Sequence, residues 1–397
     1  MRSRKLWIIL TANLFLAGHG VLAQSPYQKD FQEFWIDVRQ NYAYLERQKI
    51  NCDKVKEIYT PFADKITDRN GYISLMEQVL NELHNGHVSL NTNLASSNRL
   101  IPSGLDLRVE KSGGRYFITD LRKGFGADLS GLKIGMEVTA FNEKPIDVQL
   151  KQFLPRFTDQ PDAKMYQYAI DMLFTGTHDG QRSITVKDSG HLKTFYPVSY
   201  SNSTELLFSK KMNNSTGYIR INNSLGNNEL IAAFDNALDS FLLLKNLIID
   251  LTETPGGGNS TVARAIMGRF VNTLLPYQVH EFDEKEYQTK RHWVEYVTPR
   301  KKRFEGKVYV LAGRWTGSMG EGIAIGFDGM KRAAIIGTPM AGLLGAVSGF
   351  WMTETGIGFQ LPTERLYHIN GTPREDFVPA ILTRNVEETI VKAREIQ

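Results

Sequence analysis

Cysteine is almost absent. Cys52 is the only one in 397 residues, so no intrachain disulfide can form and no paired-cysteine zinc motif exists. The eight histidines are scattered, with no H-E-x-x-H pair, so no metal set appears. No Lys/Arg tract is long enough to mark a nucleic-acid footprint. The densest is RKKR at residues 300–303, which reads as a solvated loop, and the net charge is only +4. Beyond the N-terminus no apolar run approaches the roughly 20 residues of a membrane-spanning helix, so no integral membrane segment is expected in the mature chain. Stability must come from a large core, for which 42% hydrophobic residues suffice.

What is present starts with a targeting signal. MRSRK is basic, residues 6–16 are largely apolar, and Val21-Leu22-Ala23 offers a small-residue cleavage site before Gln24. That is the layout of a secretory signal peptide over residues 1–23. The mature protein is expected to be exported, periplasmic or secreted, and no nearby cysteine offers a lipid anchor. Composition leaves the oligomeric state open.

Residues 24–95 read as a helical region. Phe31, Phe34, Trp35, Val38 and Tyr42 follow the spacing of one apolar helix face. Asn51 can cap a second helix that Pro61 should end or kink, and Cys52 in it reads as buried. Asp68 or Asn70 can start a third, with Tyr72, Leu75, Val79 and Leu83 inward. That helix ends in LHNGH, where Gly86 suits the left-handed position past a helix and His87 begins an alternating segment.

A β-rich module follows at about 101–150. Its short strands SGLDLRVE, YFITDL and EVTAFN, with GADLSGLKIG between the last two, resemble the order of a PDZ domain. Such domains add an extended peptide to a sheet edge and receive its terminal carboxylate on loop amides, here at Gly104 and Leu105. A plain β-module that braces its neighbours fits the same pattern. Residues 151–204 read as a connecting segment.

From 205 to the end, strands alternate with helices: GYIRI, a helix over 228–244, NLIIDL, a helix after TPGGG, KVYVLAG, a helix over 319–330, and AAIIG. The succession argues for an α/β domain with buried strands feeding helices through tight glycine turns. Two of those turns can carry chemistry. PGGG opens a helix with bare amides, which favours an anion. No Walker A lysine follows, so a phosphate loop is weakly supported, and a packing turn or an oxyanion hole remain. In RWTGSMGEGIAI, Ser318 stands between a buried strand and a helix, where α/β sites generally lie. Ser318 and Glu321 also spell a capping box. The turn is not the G-x-S-x-G elbow, because residue 316 is threonine.

NLIIDLTETPGGG (246–258), VYVLAGRWTGSMGEGIAIGF (308–327) and AIIGTPMAG (334–342) resemble successive core motifs of the C-terminal processing (tail-specific) and tricorn-core serine peptidases. The resemblance covers essentially the whole mature chain. It implies an α/β protein: a crotonase-like core with an N-terminal helical region and an inserted PDZ-like β module. It also implies a serine endopeptidase that cleaves polypeptides through an acyl-enzyme without a cofactor. Ser318 would be the nucleophile, and amides of Gly256 or Gly257 with Met319 would form the oxyanion hole. One branch of the family uses a lysine base, and Leu343 stands at that position here. The histidine-base branch places its base before the PDZ-like insert, where His87 in LHNGH matches, with Asn85 replacing a frequent acid. Glu375 in NGTPREDFVPAI would be the third member, with Asp376 the adjacent alternative. Thr252 and Thr254 stand where many relatives carry arginine and asparagine. His84 reads as a capping or solvent residue, and Glu321 as a cap. Without the resemblance, His87 reads rather as a satisfied strand or loop histidine. Two rival functions remain: a catalytically silent peptide- or apolar-ligand-binding protein on the same fold, and an acyltransferase or esterase with the same nucleophile.

Overall fold

The computed structural model describes residues 24–198 and 203–396; the signal peptide expected over 1–23 lies outside the described residues. Helix starts fall where side chains can accept the orphan amides of a first turn. Ser25 and Gln28 form a capping box at Pro26–Asn41, Asn51 accepts from Lys54 N at Cys52–Ala63, and Asp68 accepts from Gly71 N at Arg69–Asn81. Pro61 does not end its helix. It lies two residues inside the end, so the i→i−4 bond it forgoes falls in the last turn and the helix stops soon after it. Cys52 is half-buried rather than enclosed.

The C-terminal half is a six-stranded sheet in the order Ile381–Leu382, Ala333–Gly337, Lys307–Ala312, Asn246–Asp250, Thr216–Ile221 and Leu207–Lys211. All neighbours are parallel except the last pair. Every residue of Asn246–Asp250 is buried, as an apolar run in a two-sided sheet requires. Glu229–Asp239, Ser260–Met267 and Met319–Gly329 supply Phe234, Ile266 and Phe327 to its main core.

A second sheet is stitched from distant segments. Gly358–Tyr367 pairs with the short strand Ser89–Leu90, with Leu275–Glu284 and with Ala346–Trp351; Leu275–Glu284 also forms a hairpin with Thr289–Val297. The N-terminal helices pack on this sheet, so Phe34, Trp35 and Tyr72 share one core with Met352, Phe359 and Leu361. The helical region is thereby fastened to the catalytic half, and with it the residues just before Ser89.

Asp30 makes one of these fastenings. Fully buried, it accepts Glu354 N and Thr355 N, each at 2.9 Å, and so holds the turn before Gly358. Removing it orphans two amides, so Asp30→Ala should lower stability by about 2–3 kcal/mol. Urea unfolding checks this as a lower midpoint at unchanged slope.

The third sheet is antiparallel, ordered Leu107–Ser112, Arg115–Leu121, Glu137–Phe141, Ile184–Asp188 and His191–Phe195. The β module is therefore larger than residues 101–150. The supposed connecting segment contributes two strands and the helix Ala163–Thr175, with Ile184, Val186, Ile170 and Phe174 in the module's core. Short strands with polar ends carry too weak an alternation to be seen in sequence.

Candidate active site

The turn at Ser318 is built by hydrogen bonds from several parts of the chain. Thr316, which breaks the G-x-S-x-G pattern, accepts Gly313 N at 2.9 Å and donates to Leu251 O at 2.8 Å. Gly317 N donates to Thr254 O at 3.0 Å, and Trp315 Nε1 donates to Leu105 O in the β module at 2.7 Å. Ser318 itself has φ 54° and ψ −114°. A non-glycine residue persists there only when its surroundings over-determine it, and such strain gathers at reactive positions. Glu321 supplies part of that restraint, accepting Ser318 N at 2.8 Å on one oxygen and Gly342 N at 2.9 Å on the other. The expected capping box of Ser318 and Glu321 is thus present, while the serine hydroxyl also reaches a further partner.

That partner is His87, whose Nε2 lies 3.0 Å from Ser318 Oγ. Nδ1 lies 2.9 Å from the Leu344 carbonyl. A carbonyl only accepts, so Nδ1 carries the proton and Nε2 is free to accept from the serine hydroxyl. The histidine is held by its backbone as well. Its N–H donates to Asn85 Oδ1 at 3.0 Å, and its carbonyl accepts Gln360 Nε2 at 3.0 Å. Asn85 is fastened in turn by donating to Tyr42 OH at 3.0 Å. The amide thus does structural work where an acid is frequent. Burial, with the nearby Arg374 guanidinium second, pushes the His87 imidazole down to about 4. The imidazole is therefore neutral across the physiological range.

The chain reaches His87 by a route other than the one expected. The left-handed residue past the helix is His84, with φ 32°, and its ring stacks on Phe157 rather than facing solvent. Gly86 is required by space instead: a Cβ there would stand 2.8 Å from Ile101 Cγ1 and 2.9 Å from Leu343 Cδ2. Leu343, at the lysine position of the other branch, is a buried packing residue.

The glycine turn divides its amides. Gly256 N donates to Asn223 Oδ1 at 2.9 Å, so it is committed and unavailable to an oxyanion. Among the described residues no acceptor faces the amides of Gly257 or Met319. Met319 opens its helix, where no intrahelical acceptor exists. Gly258 lets the two meet, since a Cβ there would clash with Leu225 Cβ at 2.7 Å and Met319 Cβ at 2.8 Å. Thr252 and Thr254 hold the same loop by bonding Asp250 Oδ1 and Leu251 O, each at 2.7 Å.

Glu375 is not brought to His87, because the Leu344 carbonyl occupies Nδ1. Its nearly buried carboxylate lies 3.0 Å from Arg47 Nη1, and burial raises its pKa. Asp376 points outward to Arg47 and Lys164. The residue beside them, Arg374, does reach the site: Nη2 donates to Leu343 O at 2.8 Å and Gly345 O at 3.0 Å, on either side of Leu344. Sequence reasoning missed it, and its sole signal was a cation next to the expected acid. A cavity of about 520 Å³, walled by Gly86, Leu343, Leu344, Arg314 and Glu375, opens beside this group.

The loop at Gly104 and Leu105 does not offer its amides to a terminus. Gly104 N donates to Leu100 O at 2.6 Å and Leu105 N to Pro102 O at 3.1 Å. On the module's open strand edge, Gln167 Nε2 donates to Val109 O at 2.9 Å. Arg122 joins the module to the oxyanion side through Glu253, at 2.9 Å. These contacts are those of the bracing alternative.

A serine at a strand–helix turn, a neutral histidine on its hydroxyl and amides without an acceptor among the described residues have the arrangement that a serine hydrolase requires at the C-terminal edge of an α/β sheet. Residues 215–379 match peptidase family S41, and residues 24–81 match the tricorn protease C1 domain. The chain thus carries a peptidase family S41 domain beside a tricorn-type N-terminal segment, and is a serine-type peptidase of the C-terminal processing and tricorn type. Comparison with curated protein sequences returns no match. Among solved structures, mature CPAF complexed with lactacystin is similar in fold, at 13% identity and a TM-score of 0.65, over 94% of this chain and 98% of that one. The photosystem II D1 C-terminal processing protease aligns at 16% identity and a TM-score of 0.58, over 91% of this chain and 94% of that one.

Proposed function

We propose that the protein is an exported endopeptidase that cleaves polypeptides through an acyl-enzyme on Ser318, with His87 as general base and then general acid. The contact of Ser318 Oγ with His87 Nε2 at 3.0 Å carries this reading. His87 takes the serine proton as Oγ attacks the scissile carbonyl, then returns it to the departing amine. Gly257 and Met319 amides receive the oxyanion. The Leu344 carbonyl orients the imidazole in place of a carboxylate, and Glu375 acts only on the wall of the adjoining cavity. The amine-bearing half of the substrate leaves on the His87 side, where that cavity offers room. The basic and apolar N-terminus supports export, and no helix among the described residues is long and apolar enough to cross a membrane. A silent binding protein was motivated by leucine at position 343. The serine–histidine contact supplies the base that the missing lysine would have provided.

Labelling tests the assignment. A serine-directed fluorophosphonate should add once, on the tryptic peptide 315–331, whose one serine is Ser318. A label on another peptide, or none on the folded protein, would overturn it.

A further inference from the structure

Arg374 is 2% exposed and is not needed to contact substrate, yet its guanidinium lies at the junction of both halves of the site. Nη2 grips the carbonyls of Leu343 and Gly345, which flank the residue whose carbonyl holds His87 Nδ1. The same atom lies 3.8 Å from Glu321 Oε2, the oxygen that accepts Ser318 N. Glu321 also accepts Gly342 N, at the start of the gripped segment. A closed circuit results: Ser318 amide to Glu321, Glu321 to Gly342, along the chain to the Leu344 carbonyl, then to His87 and back to the Ser318 hydroxyl. Leu344 sits on a turn between positive-φ glycines, Gly342 at 69° and Gly345 at 63°. Such a turn does not hold a carbonyl direction by itself. A buried guanidinium is also a costly way to gain stability alone, because burying a charge forfeits its hydration.

We propose that Arg374 is a positioning residue of the peptidase reaction: by gripping the carbonyls on either side of Leu344 it keeps the Leu344 carbonyl on His87 Nδ1, and thereby sets the tautomer and reach of the base. This inference rests on the Ser318–His87 reading above. Arg374 also bears on the charge of His87. It is the cation that disfavours imidazolium, while Glu321 and Glu375 face the guanidinium, Arg47 pairs with Glu375 and Tyr44 lines the same wall.

Two variants separate positioning from plain structure. Arg374→Gln removes both the grip and the charge. It should lower kcat about 10²-fold, the scale of a base displaced by about 1 Å, with KM nearly unchanged. The acid midpoint of kcat/KM should rise from about 4 toward the ordinary imidazole value. Arg374→Lys keeps the charge on a shorter stem that cannot span both carbonyls. It should lower kcat about tenfold or more while the acid midpoint stays low. A folded Arg374→Gln with wild-type kcat and midpoint overturns the proposal. If that variant does not fold, Arg374→Lys with kcat within about twofold of wild type overturns it. Phosphonate labelling at Ser318 keeps the two readings apart. A wild-type protein that fails to label there sinks the catalytic assignment, whereas wild-type kcat in labelled Arg374 variants sinks only this inference.

Discussion

Ser318→Ala should lower kcat by about 10⁶, leaving only the residual rate of a site that binds and polarises a carbonyl without a nucleophile. The loss is that large because nucleophile and base act as one unit, so removing either forfeits most of what both supply. The fold should persist. Glu321 holds the Ser318 amide rather than its hydroxyl, and alanine tolerates φ 54° no worse than serine does. Loss of the hydroxyl leaves His87 Nε2 unsatisfied, at about 1–2 kcal/mol. Hydrolysis of an unfolded protein substrate, read beside circular dichroism, checks both halves. A folded variant retaining a tenth of the wild-type rate would remove Ser318 from the mechanism.

His87→Ala is expected to cost a comparable factor, about 10⁶ in kcat, since a serine without a base is a poor nucleophile at neutral pH. The more specific expectation concerns pH in the wild type. His87 acts when neutral, and burial with Arg374 holds it down to about 4. Lowering the pH through 6.5, where an ordinary imidazole charges, should leave this base untouched, and activity should collapse only with a midpoint near 4. A shallower step should precede it. Both Glu321 oxygens accept amides, which requires the carboxylate, and burial raises that group to about 7. Protonation there loosens the nucleophile turn without removing the base. Glu321→Gln should lack this first step and keep the second. The profile of kcat/KM from pH 3.5 to 9 decides the matter. A single full transition at 6.5 would mean that the working histidine is solvated, contrary to its geometry here.

Much of the site was legible because its parts are local. The turn around Ser318 announces itself through an apolar strand, small residues and a helix start, and PGGG does so for the amide side. LHNGH was recognisable through its likeness to a family motif. Glu375 was a different matter. Its role is implied only by the likeness of NGTPREDFVPAI to the family's late segment, whereas contact depends on which atom fills one hydrogen-bonding direction. The Leu344 carbonyl fills it, because a segment between two left-handed glycines turns that carbonyl inward and Arg374 holds it. Gly256 failed for the same kind of reason: Asn223, 33 residues away, reaches its amide first. Gly104 and Leu105 spend their amides within their own loop.

From sequence alone come the α/β class, the serine at a strand–helix turn, the glycine-rich amide loop and the histidine ahead of the β module. Each is written in periodicity or in a few adjacent residues. Tertiary structure alone decided which donors remain unspent, which oxygen takes His87 Nδ1, how far the β module extends, and that an arginine rather than its glutamate neighbour reaches the site. Hydrogen-bond directions are filled by whichever partner packing brings nearest, and that partner is set by three-dimensional distance, which order along the chain does not encode.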